Sequence, residues 1–129
     1  MDHMPELKPD IKITVETAYV PQRSNPEEDR YFFTYTITIG NTGAQTAQLL
    51  SRHWIITDAN NNIQEVRGDG VVGQQPHIAP GSSFEYTSGT FLATPVGTMK
   101  GSYQLISEAT GLFDAAIPEF LLSYPRTLH

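Results

Sequence analysis

The chain has 129 residues, a net charge of −6 and no cysteine. That length supports one domain with a sizeable core, and the absence of thiols excludes disulfides, thiolate metal sites and cysteine nucleophiles. The acidic balance argues against nucleic-acid binding, which needs Lys and Arg to displace condensed counterions. With no basic-then-apolar leader and no apolar run near twenty residues, a cytoplasmic protein without membrane insertion is expected.

Residues 1–10 read as a flexible arm and residues 11–129 as a single domain. From Ile11 the pattern alternates, with Ile13 and Val15 on the same face and Lys12, Thr14 and Glu16 on the other, which predicts a half-buried strand ending before Pro21. A polar loop over 22–30 carries the acids Glu27, Glu28 and Asp29. The next strand is the clearest in the chain. Tyr31, Phe33, Tyr35, Ile37 and Ile39 share one face, Phe32 and three threonines the other, as a pleated half-buried surface prefers. Asn41-Thr42-Gly43 then turns the chain.

A third strand is predicted over Ala47 to Thr57. Trp54 buries the most area of any side chain there, so its face, with Leu50, Arg52 and Ile56, is assigned to the core. Leu49, Ser51, His53 and Ile55 are assigned to the opposite face. Asp58 to Asn62 is a hairpin turn by composition and Ile63 to Arg67 a short return strand at an edge. Pro80-Gly81 leads into a strand from Ser83 to Thr87, Pro95-Val96-Gly97 turns again, and Thr98 to Ser107 alternates once more. After Ala109-Thr110-Gly111, a last strand runs from Leu112 to Tyr124, with Pro118 marking an edge or a bulge. About seven short strands separated by Gly, Pro and Asn turns predict an all-β antiparallel sandwich of the immunoglobulin or fibronectin-III type, with a jelly roll or barrel as the alternative.

Functional residues concentrate between Leu49 and Pro76, with His77 following directly. Gly68-Asp69-Gly70-Val71-Val72-Gly73 spells GxGxxG. A dinucleotide site needs a helix N-terminus after those glycines, and Gln74-Gln75-Pro76-His77-Ile78-Ala79-Pro80 cannot supply one. A loop crossing between sheets is the plainer interpretation. A nest of backbone N–H groups holding a small anion beside Arg67 is a third, with a simple Arg67 pairing to Glu65 or Asp69 as its competitor. Ser51 and His53 lie on one face of a strand, but no GxSxG elbow or assigned carboxylate completes a hydrolytic triad. Convergence of His53 and His77 on a metal with Asp58 or Asp69 is a further reading, yet no established ligand spacing is present.

Leu50-Ser51-Arg52-His53-Trp54-Ile55-Ile56-Thr57-Asp58-Ala59-Asn60 and Val66-Arg67-Gly68-Asp69-Gly70-Val71-Val72-Gly73-Gln74-Gln75-Pro76 closely resemble the ApaG family signature. The resemblance extends to Asn25-Pro26-Glu27-Glu28-Asp29-Arg30-Tyr31, Phe84-Glu85-Tyr86-Thr87-Ser88-Gly89 and Thr94-Pro95-Val96-Gly97-Thr98-Met99. It implies a fibronectin-III-like sandwich and a genetic association with cobalt tolerance and magnesium efflux. Related domains in an F-box protein and in a partner of a DNA polymerase imply a binding module more than an enzyme, by analogy. The expectation is a non-enzymatic domain without a cofactor, monomeric or homodimeric, that engages a protein partner or a small anion through Arg52, His53, Arg67, Gly68, Gly70, Gly73 and His77. The competing expectations are hydrolysis of a phosphate or pyrophosphate ester held by the glycine loop, and divalent-cation binding.

Overall fold

The computed structural model describes residues 9–125. It contains β1 (Ile11–Tyr19), β2 (Tyr31–Asn41), β3 (Ala47–Asp58), β4 (Ile63–Asp69), β5 (His77–Ile78), β6 (Ser83–Leu92), β7 (Val96–Ser107) and β8 (Gly111–Ser123). β1, β2 and β6 form one antiparallel sheet in that order; β4, β3, β7 and β8 form the other, with β5 also pairing to β3. Apart from the two-residue β5, seven strands in this order make the fibronectin-III-like sandwich that the alternation predicts. Among the described residues no helix is long and apolar enough to cross a membrane.

The inner faces follow from the period-two pattern. Phe33, Tyr35, Ile37 and Ile39 of β2 meet Trp54, Ile56, Met99, Tyr103 and Leu105 across the sandwich. Trp54 is 2% exposed and makes edge-to-face contacts with Tyr35, Tyr103 and Phe120 at centroid distances of 5.3, 6.3 and 5.9 Å, the geometry that ring quadrupoles favour. The hydroxyls of Tyr86 and Tyr103 hydrogen-bond to each other inside this core.

Several sequence expectations need correction. Leu50 does not share the core face with Trp54. A β-bulge between Leu49 and Ser51 in the β3–β7 ladder inserts one residue, so Leu49 is buried on one side of it and Trp54 on the other. The Pro95 turn is shorter than expected, since Val96 and Gly97 already lie in β7. β6 continues to Leu92, beyond Thr87. The first eight residues of the expected arm lie outside the described residues, but Pro9 is buried. Asp10 is tied down as well: its N–H donates to Asn41 Oδ1 at 3.3 Å and its carbonyl accepts from Thr42 N–H at 2.8 Å. Pro118 sits on the edge strand β8 and beside a bulge, where the register with β7 shifts between Met99 and Gly101. A missing ladder donor is tolerated in both settings.

Candidate functional site

β3 carries the candidate side chains alternately to the two faces of its sheet, which separates residues adjacent in sequence. His53 points outward and Arg52 inward. Arg52 is half-buried and opposite Gly68 of β4. Its Nη1 donates to the carbonyls of Asp69 at 3.0 Å and Gly70 at 2.9 Å. A Cβ on Gly68 would lie 2.8 Å from both terminal guanidinium nitrogens, so the glycine there makes room for Arg52.

The GxGxxG segment is a closed hairpin. Val71 and Gln74 exchange two backbone hydrogen bonds of 2.8 and 2.9 Å, and Gly70 N–H donates to Leu50 O at 2.8 Å. Val72 and Gly73 both have positive φ, 42° and 79°, which matches the two-residue turns that suit strand twist. Gly70 is also left-handed, and a Cβ there would meet Gln74 O at 2.4 Å. The N–H groups of Gly70 and Val71 in the segment, and of Gln74 just after it, are therefore committed to carbonyls, and the polar groups it converges inward are acceptors, satisfied by Arg52. That is the opposite polarity to an anion nest.

Arg67 lies on the outer face beside His53, its cross-strand partner. Glu65 Oε1 bridges the two, 2.5 Å from His53 Nε2 and 3.1 Å from Arg67 Nη2. The hydrogen bond with His53, then that with Arg67, holds the Glu65 carboxyl below its ordinary range. The Arg67–Glu65 pairing weighed from sequence is thus present. The registers extend this cluster across the sheet: His53 faces Ser102 of β7, and Ser51 faces Gln104, which faces Asp114 of β8. Ser51, His53, Arg67, Ser102, Gln104 and Asp114 line an open hollow of about 300 Å³. Ser102, Gln104 and Asp114 are not singled out by the sequence, where Glu65 enters only as a candidate partner of Arg67. Alternation puts Ser102 and Gln104 on one face of their strand, but only the lateral register shows which residues they join.

His77 pairs with Gln48 on β5, five positions along β3 from His53, roughly 17 Å in an extended chain. The two histidines are not brought together. His77 instead lines a separate hollow of about 600 Å³ with Gln48, Pro80 and Ile106. Among the described residues no three His, Asp or Glu side chains are placed to share a metal ion.

The strand order and this polar outer face define a fibronectin-III-like sandwich of the ApaG-domain class, whose domain profile matches residues 21–107. The chain is 60% identical over 119 residues to Protein ApaG of Thiobacillus denitrificans, covering 92% of this chain and 94% of that protein. It is 55% identical over 126 residues to Protein ApaG of Pseudomonas paraeruginosa, covering 98% and 100%. The crystal structure of a putative ApaA protein from Bordetella pertussis superposes with a TM-score of 0.90 at 53% identity, covering 95% of this chain and all of that one. The chain belongs to the ApaG family.

Proposed function

We propose that the chain is a non-catalytic binding module that docks a protein partner on the outer face of the β4-β3-β7-β8 sheet, centred on His53, Arg67, Ser102, Gln104 and Asp114. The observation that carries this reading is the lateral alignment of these side chains around one open hollow. Arg67, with its side chain 72% exposed, presents the planar, many-donor group that interfaces favour. Glu65 fixes the position of both side chains, so the surface is ordered before a partner arrives, which lowers the entropy cost of docking. No hydrogen bond joins the Ser51 or Ser102 hydroxyl to His53, and this favours binding over acyl transfer. Any link to cobalt tolerance or magnesium efflux is then indirect, exerted through the partner.

A photo-crosslinking side chain placed at Gln104, with a control at the exposed Thr14 on β1 of the other sheet, tests the proposal in the native cell. Adducts should form from position 104 only and fall about tenfold in the Arg67→Glu/His53→Ala double variant, an ordinary loss for an interface anchor. Equal capture from both positions, or adducts indifferent to the double variant, would refute it.

A further inference from the structure

The sandwich has four sheet edges, and three carry devices that discourage further pairing. β1 bears Lys12 and Glu16, β8 bears Pro118, a bulge and two acids, and β4 is short with Glu65 and Arg67. Among the described residues β6 pairs only with β2. Its ten residues, Ser83–Leu92, include no proline, no lysine and a single charge, Glu85.

The hydrogen-bond phase of this edge follows from its neighbours. Val20 N–H donates to Phe32 O, and Thr42 N–H to Asp10 O, so the even residues of β2 turn their polar groups to the β1 side. The odd residues of β2 bond to β6, and by the register these face the even residues of β6. Ser83, Glu85, Thr87, Gly89 and Phe91 therefore turn both N–H and C=O to the open edge, and all five residues are exposed.

We infer that this edge pairs antiparallel with β6 of a second copy, about a twofold axis through Thr87, joining two three-stranded sheets into one of six strands. This surface is distinct from the partner-docking face proposed above. The register is the one in which the five outward residues all find partners: Thr87 opposite Thr87, Glu85 opposite Gly89, Ser83 opposite Phe91. It makes about ten main-chain hydrogen bonds. Charge is compatible with it. Each Glu85 faces a residue without a side chain, and the two carboxylates lie four residues apart along the seam, roughly 13 Å, beyond a Debye length at physiological salt.

Packing agrees. The ring of Phe32 covers Gly89, since a Cβ there would meet Phe32 Cζ at 2.3 Å, so the seam is flat where Glu85 must lie. Phe91, 41% exposed, is held under Arg30, whose Cζ stands 5.1 Å from the ring centroid. Beside it a cleft of about 240 Å³, lined by Ile56, Ile63, Phe91 and Leu92 among others, opens at the same edge. The partner's Ser83 end lies against that cleft.

The twofold axis makes a charge-swap test possible. Sedimentation equilibrium of the full chain from about 1 µM to about 1 mM should show a monomer giving way to a dimer. Thr87→Lys and Thr87→Glu each place like charges face to face and should weaken the dimer at least tenfold, and an equimolar mixture of the two should restore it. Thr87→Pro, which removes the outward N–H along with the side-chain hydrogen bond to Thr36 Oγ1, should also abolish the dimer; circular dichroism of each variant confirms that the fold is retained. A wild-type chain that stays monomeric throughout, or a dimer untouched by these variants, would overturn the inference.

Discussion

Replacing Arg52 by Met tests whether this residue is a structural clamp or a ligand-binding group. The substitution keeps most of the apolar stem and deletes the two hydrogen bonds to the Asp69 and Gly70 carbonyls. Hydrogen bonds from a charged donor contribute about 1.5–3 kcal/mol each, and because one of this pair is solvent-exposed a total loss near 2 kcal/mol is expected. With an unfolding entropy of about 2.1 cal/mol/K per residue, 129 residues give roughly 0.27 kcal/mol/K, so the melting temperature should fall by about 7 °C. Gly68→Ala should produce a smaller loss of the same kind, because the guanidinium must move aside for the new Cβ. In the Arg52→Met background Gly68→Ala should cost less, since Met lacks the atoms that clash; that non-additivity identifies the contact. Thermal melts and amide exchange of Gly70 and Gln74 are the assays. If Arg52→Met melts within a degree of the wild type with loop exchange unchanged, Arg52 is no anchor and stands free to serve a ligand.

Trp54→Ala should cost about 3–5 kcal/mol, because it empties a site packed by three aromatic rings, and the wild-type emission maximum should be strongly blue-shifted relative to free Trp. Tyr86→Phe strands the buried Tyr103 hydroxyl and should cost about 1–2 kcal/mol, whereas the Tyr86→Phe/Tyr103→Phe double variant should cost less than the sum of the singles. Burial raises the pKa of both phenols, so absorbance titration should show neither ionising before alkaline unfolding. The lowered pKa of Glu65 means that its contribution to stability is present above the ordinary carboxylate range and is lost as pH falls through the depressed folded value. Denaturant melts of wild type and Glu65→Gln from pH 7 to pH 3 should therefore converge at the acid end; a gap that widens there would contradict the pairing.

The strands were legible because most of them are two-sided. In β2 every second residue is apolar, and the same residues line the core. β3 shows where such a pattern stops being informative. Leu49-Leu50 offers two apolar residues in succession, and Trp54 alone cannot say which of them shares its face. The answer depends on the bulge before Ser51, a property of how β3 meets β7 and not of either strand. The same limit governed the site. Arg52, His53, Arg67 and the three glycines were picked out as one cluster because they lie close together in sequence with unusual chemistry. A strand sends neighbours to opposite faces, so Arg52 went inward to close the loop while His53 and Arg67 went outward to meet Glu65. The glycines are explained by the inward half: Gly68 makes room for a guanidinium, and Gly70 and Gly73 take the left-handed turns of a hairpin. A nucleotide-like spacing thus arises from the needs of a β-turn packed on an arginine. The outward half needed residues from β7 and β8, far along the chain, and no local pattern names them. The surface proposed for recognition in this fold is therefore assembled by register, across four strands, from side chains that look ordinary one at a time.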